Sequence, residues 1–354
     1  MGLTRCTCCV MISTWPGISF NEQGVCSLCL AYDEYVGIDW VEQEKRLREI
    51  LESYKKYAIA RGNKYDCILP SSGGKDSTWA LYVLKILYNM TPLVVTWNHG
   101  LWMSPEATYN LHSIPANLDC DHIDFRLGNG LRNGIARKAT IVGGDWCGFC
   151  HLGVGSLPAR IAKQWEVPLV VYGEPTALYS TTGHYRLQDL EENDKTHFED
   201  VFQGVFSPEK IVPPGYAFRD MLPMTWPKGE FQLKSIYLGN FLRWDQWEQV
   251  AIITEKLGWR HIQLPITYTD WDKVDCERGE CLREVQKFHR RRISRVAFQA
   301  SKDIREGLLT REEALELVER YESRIPNLEV SGVLNELGFA SKEELLELTR
   351  NGGK

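Results

Sequence analysis

The chain has 354 residues, of which 44% are hydrophobic and 25% charged, and its formal net charge is −6. These values are ordinary for a globular protein with a substantial core, and the acidic balance argues against nucleic acid as a main partner. No apolar run approaches the roughly 20 residues that span a bilayer, and the N-terminus lacks the apolar core of a signal peptide. We therefore predict a cytoplasmic protein without membrane attachment, whose 11 cysteines serve metal or catalytic chemistry rather than disulfides.

The first predicted unit, residues 1–35, carries two C-x-x-C pairs, Cys6 with Cys9 and Cys26 with Cys29. Each pair offers two thiolates from one tight turn, and two such pairs complete the tetrahedral coordination of a structural zinc ion. A segment this short has too little core to fold alone, so bound zinc would supply much of its folding free energy. Cys8, inside the first pair, is not expected to be a ligand.

The second predicted unit, residues 36–235, begins with an amphipathic helix over Val41–Tyr57, after which short apolar strands alternate with helical segments as far as Gly173. The predicted strands are Tyr65–Pro70, Pro92–Trp97, Asp121–Phe125 and Pro168–Gly173. This alternation predicts an α/β domain with a doubly wound, mostly parallel sheet that binds its ligand at the carboxyl ends of the strands. The residues at the ends of the second and fourth strands are therefore candidate ligand contacts, namely Thr96, Trp97, Asn98, Gly173 and Glu174.

The first strand leads into the loop Ser71-Ser72-Gly73-Gly74-Lys75-Asp76-Ser77, and a helix follows over Thr78–Tyr88. Glycines let the backbone approach an anion, and the helix N-terminus offers free N–H groups. Ser71, Ser72, Gly73 and Gly74 are candidate phosphate contacts, and Lys75, Asp76 and Ser77 are candidate catalytic residues. Asp76 either helps to hold magnesium and orient the loop or caps the helix. The loop differs from the Walker sequence G-x-x-x-x-G-K-[ST].

Further cysteines, Cys147 and Cys150, follow the third strand at C-x-x-C spacing, and Cys276 and Cys281 come much later. Structural thiols near the active face and a second zinc site are both compatible with this pattern, with Cys147, Cys150 and Cys276 as the candidate ligands.

Regular alternation stops between residues 175 and 235, where proline, aromatic and acidic residues indicate a lid or binding insert. Helices are predicted to form the C-terminal region, residues 236–354, with capping boxes at Thr310/Glu313 and Ser341/Glu344. The basic run His289–Arg295 is either a solvated helix face or a contact for the phosphates of a nucleotide-sugar or RNA.

The six residues Ser72–Ser77, read as S-G-G-K-D-S, resemble the S-G-G-x-D-S loop of the PP-loop ATP pyrophosphatase superfamily, which has an adenine nucleotide alpha hydrolase-like fold. The resemblance implies that residues 36–235 bind ATP and magnesium, transfer AMP to a carbonyl or carboxylate oxygen, and let a nitrogen or sulfur nucleophile displace the AMP. Some tRNA-thiolating members carry a C-x-x-C pair at the place of Cys147 and a further cysteine beyond the last strand. An iron–sulfur cluster is therefore a third alternative for Cys147, Cys150 and Cys276.

Segments along nearly the whole chain resemble one branch of that superfamily, the N-acetyl sugar amidotransferases of surface-polysaccharide biosynthesis, including lipopolysaccharide O-antigens. The matching segments are Cys6–Met11, Pro16–Phe20, Gly24–Cys29, Ser72–Ser77, Cys147–Gly153, Tyr172–Glu174, Tyr237–Gly239, Trp244–Asp245, Leu257–Arg260, Ile304–Gly307 and Thr310–Glu313. The neighbourhood of Cys276 matches loosely.

This second resemblance implies an AMP-forming ligase that converts the acetamido group of a UDP-linked N-acetyl sugar to an acetamidino group. It also implies two partners that supply ammonia, a glutaminase subunit and a cyclase-like barrel subunit. The alternative is a PP-loop enzyme that modifies tRNA, a thiolase or a lysidine-type ligase. The acidic balance of the chain weighs against that alternative.

Overall fold

The computed structural model describes residues 3–174, 198–199 and 206–352. Five strands form one sheet in the order β3-β2-β1-β4-β5, and every neighbouring pair is parallel. The strands are β1 (Cys67–Pro70), β2 (Pro92–Asn98), β3 (His122–Arg126), β4 (Leu169–Tyr172) and β5 (Lys234–Tyr237). The predicted α/β fold with a parallel sheet is therefore confirmed.

Alternate residues along the strands β1, β2 and β4 enter two separate hydrophobic cores, one on each face of the sheet. Ile68 and Val170 belong to one core, whereas Leu69 and Val171 belong to the other. Both faces are thus buried at the centre of the sheet, which explains why β1 and β4 are short, almost continuous apolar runs. Strand order reverses at β1, between β2 and β4, and such a reversal opens a crevice at the carboxyl ends of the strands.

Helices surround this sheet and continue to the C-terminus. In chain order they are α1 (Ser27–Val36), α2 (Trp40–Arg61), α3 (Lys75–Tyr82), α4 (Pro105–Thr108), α5 (Ile114–Asn117), α6 (Asn129–Gly143), α7 (Gly148–Gln164), α8 (Gln246–Leu257), α9 (Glu277–Arg291), α10 (Arg295–Arg305), α11 (Arg311–Glu322), α12 (Ser331–Glu336) and α13 (Lys342–Asn351). Helix α3 continues as a π-helix over Val83–Leu87. Within the described residues, no helix combines the length and apolar composition needed to cross a membrane.

Strand β5 lies at the edge of the sheet and was not predicted, because the sequence places residues 175–235 in an irregular insert. It has only four residues, Lys-Ser-Ile-Tyr, so its alternating pattern is too short to be recognised. Its parallel pairing with β4 identifies it as a strand, and Tyr237 of β5 stacks on Tyr172 of β4 with ring centroids 5.1 Å apart. Residues 175–197 and 200–205 of the predicted insert lie outside the described residues.

The N-terminal segment packs against the C-terminal helices rather than standing apart. Val10 lies in one core with residues of α10 and α11, and its N–H donates to the Ser301 hydroxyl over 3.3 Å. Arg311 donates to the backbone carbonyls of Cys6 and Cys9, at 3.1 Å and 3.3 Å. Residues at the two ends of the chain are thereby joined.

Of the two predicted capping boxes, the one at Thr310/Glu313 is confirmed, whereas the one at Ser341/Glu344 forms only one of its two hydrogen bonds. Thr310 and Glu313 form a reciprocal capping box at α11. Ser341 accepts from the Glu344 N–H, but the Glu344 carboxylate accepts from the Ala340 N–H at 2.6 Å and pairs with Arg137. The nearby arginine draws the carboxylate away from the geometry of a capping box.

Candidate functional site

The loop between β1 and α3 is a narrow turn that places its hydroxyl groups around the helix N-terminus. Gly73 has a φ of +78°, and a Cβ there would lie 2.8 Å from the Leu111 backbone, so this position requires glycine. The Ser77 hydroxyl donates to the Gly74 carbonyl over 3.2 Å and accepts from the Ser72 N–H over 3.3 Å. Trp259 lies just beyond the C-terminus of α8, and its indole N–H donates to the Gly73 carbonyl at 3.0 Å, which fixes the loop.

Lys75 and Asp76 form the charged part of this loop. Lys75 is 6% exposed, and its Nζ lies 2.6 Å from an Asp76 carboxylate oxygen and 5.4 Å from the centre of the Trp271 ring. The other Asp76 oxygen accepts from Trp244 Nε1 at 3.2 Å. Because the Asp76 oxygens contact Lys75 and Trp244 rather than the helix N–H groups, the structure does not support the capping role that the sequence left open for Asp76.

The residues at the ends of β2 and β4 hold the loop in place. Thr96 donates from its hydroxyl to the Ser71 carbonyl at 2.6 Å, and this hydroxyl also lies 2.7 Å from His122 Nε2. Gly173 packs so closely on α3 that an added Cβ would lie 2.4 Å from the Asp76 carbonyl oxygen. Glu174 follows Gly173 and lines the cavity. Loss of water around its carboxyl group, and then repulsion by the Asp76 charge, raise the pKa of that group.

A cavity of about 530 Å³ opens at the carboxyl ends of these strands. Except for Gly73, every residue that the sequence predicts as a ligand contact or a catalytic residue lines this cavity. These residues are Ser71, Ser72, Gly74, Lys75, Asp76, Ser77, Thr96, Trp97, Asn98, Gly173 and Glu174. Trp97 contributes from a largely buried position, where its ring lies 5.4 Å from that of Phe125. The structure thus brings together residues that the sequence places on separate strands.

Charged residues from the C-terminal part of the chain form another wall of the cavity, and of these the sequence singled out Arg295 alone, within the basic run; they are Asp272, Lys273, Asp275, Glu280, Arg283 and Arg295. Lys273 has a left-handed backbone, with φ of +61°, and such strain in a non-glycine residue is often retained for function. Burial opposes its charge, but Glu280 and other nearby carboxylates raise the pKa of Lys273, which therefore carries a positive charge into the cavity. In the sequence, the aspartate-rich stretch 270–275 was the signal that could have indicated this wall.

Arg295 is the residue of the basic run His289–Arg295 that lines the cavity. Its guanidinium forms a two-point contact with the buried Asp272 carboxylate, which includes a 2.8 Å hydrogen bond. Arg290 instead donates to the Gly143 carbonyl at 2.7 Å and to the Gly352 carbonyl, so its role is structural. Both alternatives for this run, a solvated helix face and a phosphate contact, therefore stay predictions, and Arg295 is the member placed to test the second.

We predict that Asp272→Asn lowers the free energy of unfolding by about 2–3 kcal/mol at pH 7, because it removes the carboxylate charge that faces the part-buried Arg295 guanidinium. Burial alone would raise the pKa of Asp272, but Arg295 outweighs it and lowers the pKa to about 2. The contribution is therefore complete above the unfolded pKa, near 4, and is lost as pH falls through about 2. Urea unfolding across this range measures it.

The matched control for this pair is Glu52→Gln, which breaks an exposed contact to Lys55 and should leave the free energy of unfolding essentially unchanged, because solvent screens that contact. The interpretation would be wrong if Asp272→Asn and the wild type differed by the same amount at pH 7 and at pH 2.

Cys147, Cys150 and Cys276 all line the same cavity, with Cys147 at the N-cap of α7. A contact between the Cys147 and Cys150 thiols lowers the pKa of Cys147, and burial raises the pKa of Cys276. Cys281 lies in a separate pocket beside Arg278. The three thiols share the cavity without converging as a compact ligand set, so structural thiols, a second zinc site and an iron–sulfur cluster stay open.

The four N-terminal cysteines do converge. The sulfur atoms of Cys6, Cys9, Cys26 and Cys29 all lie within 4.8 Å of one another, and within the described residues they form the single such group of three or more metal-ligating side chains. The Cys6–Cys29 and Cys9–Cys26 sulfur distances are 4.0 Å and 3.6 Å. A tetrahedral zinc ion with Zn–S bonds of about 2.3 Å separates its sulfurs by about 3.8 Å. These cysteines could therefore bind a metal such as zinc.

Comparisons with known proteins address the C-terminal part most directly. Residues 266–352 match the family model for "LPS biosynthesis protein WbpG-like, C-terminal domain". The C-terminal part of the chain is thus similar to an LPS biosynthesis protein. The matched segment supplies the whole charged wall of the cavity, from Asp272 to Arg295.

A second similarity covers more of the chain but carries no functional description. The uncharacterized protein MJ1599 of Methanocaldococcus jannaschii is 34% identical over 192 residues. The alignment covers 54% of this chain and 65% of that relative.

Proposed function

We propose that this protein is an AMP-forming, ATP-dependent amidotransferase that converts the acetamido group of a UDP-linked N-acetyl sugar to an acetamidino group. One observation carries the proposal. The glycine-serine loop at the start of α3 and the wall from the segment similar to an LPS biosynthesis protein face a single cavity. A nucleotide bound at the loop would therefore meet a second substrate that the wall recognises.

The loop side of the cavity suits the phosphates of ATP. Lys75 carries its positive charge at the start of α3, where the helix dipole also favours anions. Asp76 and Glu174 place carboxylate oxygens at the same edge of the cavity, and oxygen ligands of this kind suit magnesium. When bound, magnesium would neutralise charge on the phosphates. Asp76 is the ligand that we expect to orient it.

The proposed reaction has two steps. The amide oxygen of the acetamido group attacks the α-phosphorus of ATP, and the bond to pyrophosphate breaks. Ammonia then adds to the activated carbon, and the carbon–oxygen bond breaks as AMP leaves with the former amide oxygen. The products are the amidine, AMP and pyrophosphate. Activation is needed because an amide oxygen is a poor leaving group, and Lys75, Ser77 and the loop N–H groups would stabilise the departing pyrophosphate.

Ammonia is scarce at neutral pH, so we propose that a separate glutaminase subunit and a cyclase-like barrel subunit deliver it to the cavity. High ammonium concentration should then replace both partners in a purified system.

A second candidate, a tRNA-modifying thiolase, is favoured by the thiols of Cys147, Cys150 and Cys276 in the cavity. Sulfur chemistry would give these residues a direct role. The net charge of −6 weighs against tRNA as the substrate. The nucleotide-sugar proposal is preferred because it also accounts for the family similarity of residues 266–352.

We expect purified protein with ATP, magnesium and high ammonium to release AMP in the presence of a UDP-N-acetyl sugar. The product should be lighter by about one mass unit, because NH replaces O, and should carry an added positive charge near neutral pH. Mass spectrometry and an AMP assay measure both changes. A parallel reaction with tRNA is the comparison: AMP release stimulated by tRNA and by no nucleotide-sugar would overturn the proposal in favour of the thiolase.

A further inference from the structure

One part of the cavity wall comes from the cysteine-rich N-terminal segment. Trp15 lines the cavity and stacks on Phe298 of α10, with ring centroids 5.0 Å apart and planes inclined by 11°. Arg295 lies over the Phe298 ring, 5.3 Å from its centre. An ordered aromatic surface therefore borders the cavity beside a fixed guanidinium.

Trp15 is held by the chain around it. The backbone N–H of Trp15 donates to the Ile12 carbonyl at 3.1 Å, and the hydroxyl of the neighbouring Thr14 donates to the Arg291 carbonyl. Phe298 is 5% exposed and fixed within α10. The Trp15 ring is half-buried, so part of it stays accessible from the cavity. A rigid, accessible aromatic ring loses little conformational entropy when it stacks on a ligand.

The chemistry of this corner suits a nucleoside diphosphate. Nucleobases stack on aromatic side chains whatever their hydrogen-bonding pattern, and Lys273 adds positive charge along the same wall, whereas Arg283 is paired with Asp145 and Glu280. Arginine and lysine are the usual partners of phosphate oxygens. Trp15 also lies outside the sheet, whereas the loop for ATP phosphates lies at the end of β1.

We propose that Trp15, supported by Phe298, binds the nucleobase of the second substrate, a nucleoside diphosphate sugar, and that the cysteine-rich segment thereby forms part of the substrate site. This inference rests on the proposed function for the identity of that substrate. It assigns the N-terminal segment a direct role in recognition in addition to its structural role. The base of ATP is the other nucleobase that could occupy the surface, and the test distinguishes the two.

The test measures binding of UDP and of ATP to the full-length protein by calorimetry. Trp15→Ala should weaken UDP binding by about tenfold or more, as expected for the loss of one base-stacking ring, and change ATP binding less than about twofold. Trp15→Phe should retain most of the UDP affinity, because it keeps an aromatic face. Zinc content and melting temperature should match those of the wild type, which shows that the segment is still folded.

Trp165→Ala is the matched control, since Trp165 is exposed and packs against Tyr65 away from the cavity. Unchanged UDP affinity in Trp15→Ala, or a loss confined to ATP, would overturn the inference. If UDP affinity is unchanged while a UDP-sugar still drives AMP release, the proposed function stands without this subsite. If the wild type binds no UDP and no nucleotide-sugar drives AMP release, the proposed function fails as well.

Discussion

Lys75→Ala is expected to reduce cleavage of ATP to AMP and pyrophosphate by more than about a hundredfold, the usual effect of removing one electrostatic stabiliser from an active site. Lys75 is the cation at the N-terminus of α3, it lines the cavity, and its side chain is almost completely buried. The rate of AMP formation in single-turnover reactions measures the loss.

Folding must be separated from chemistry in this variant, because the substitution removes the partner of Asp76. Asp76 keeps its contact with Trp244, and the melting temperature of the variant measures how much stability is lost with the Lys75–Asp76 ion pair. Ser77→Ala should also reduce the rate, since its hydroxyl lines the cavity and joins Ser72 to Gly74. Lys85→Ala, further along the same helical segment, is the control and should leave the rate unchanged. Wild-type protein that releases ADP and phosphate would contradict the pyrophosphatase assignment.

The loop was predictable because its information is local. A strand, two glycines, three serines and a helix start lie within a dozen residues, and the structure has α3 beginning at Lys75. The four N-terminal cysteines were predictable for the same reason, since ligand spacing within each pair is a short-range signal. Both predictions depend on sequence neighbours rather than on how distant segments meet.

The charged wall could not be predicted in this way. Lys273 and Arg295 both line the cavity although they lie far beyond the loop in the chain, and the residues next to them in the sequence do not indicate that contact. The contact of Asp272 with Arg295 joins residues on either side of α9. Trp15 was missed for the same reason, since its partner Phe298 lies near the other end of the chain. In each case the sequence shows the residue types but does not indicate which distant residues they contact.

Cys26→Ser is expected to remove one zinc ion per chain and to lower the melting temperature by more than about 5 °C or make the protein insoluble. Cys26 is fully buried, and its N–H donates to the Cys6 sulfur at 3.2 Å, so the ligands and the backbone are ordered together. The small core around them contains Met11 and Leu28 and shares Phe298 with α10. Metal loss should therefore disturb the C-terminal helices as well as the N-terminal segment.

The control is Cys8→Ser, because Cys8 lies inside the first cysteine pair but is exposed and outside the ligand group. It should keep one zinc per chain and the wild-type melting temperature. Retention of zinc and stability by Cys26→Ser, or equal losses in the two variants, would contradict a structural four-cysteine site. Since Trp15 lies between the two cysteine pairs, any Cys26→Ser protein that stays soluble should also bind UDP more weakly while its ATP loop, built from β1 and α3, remains in place.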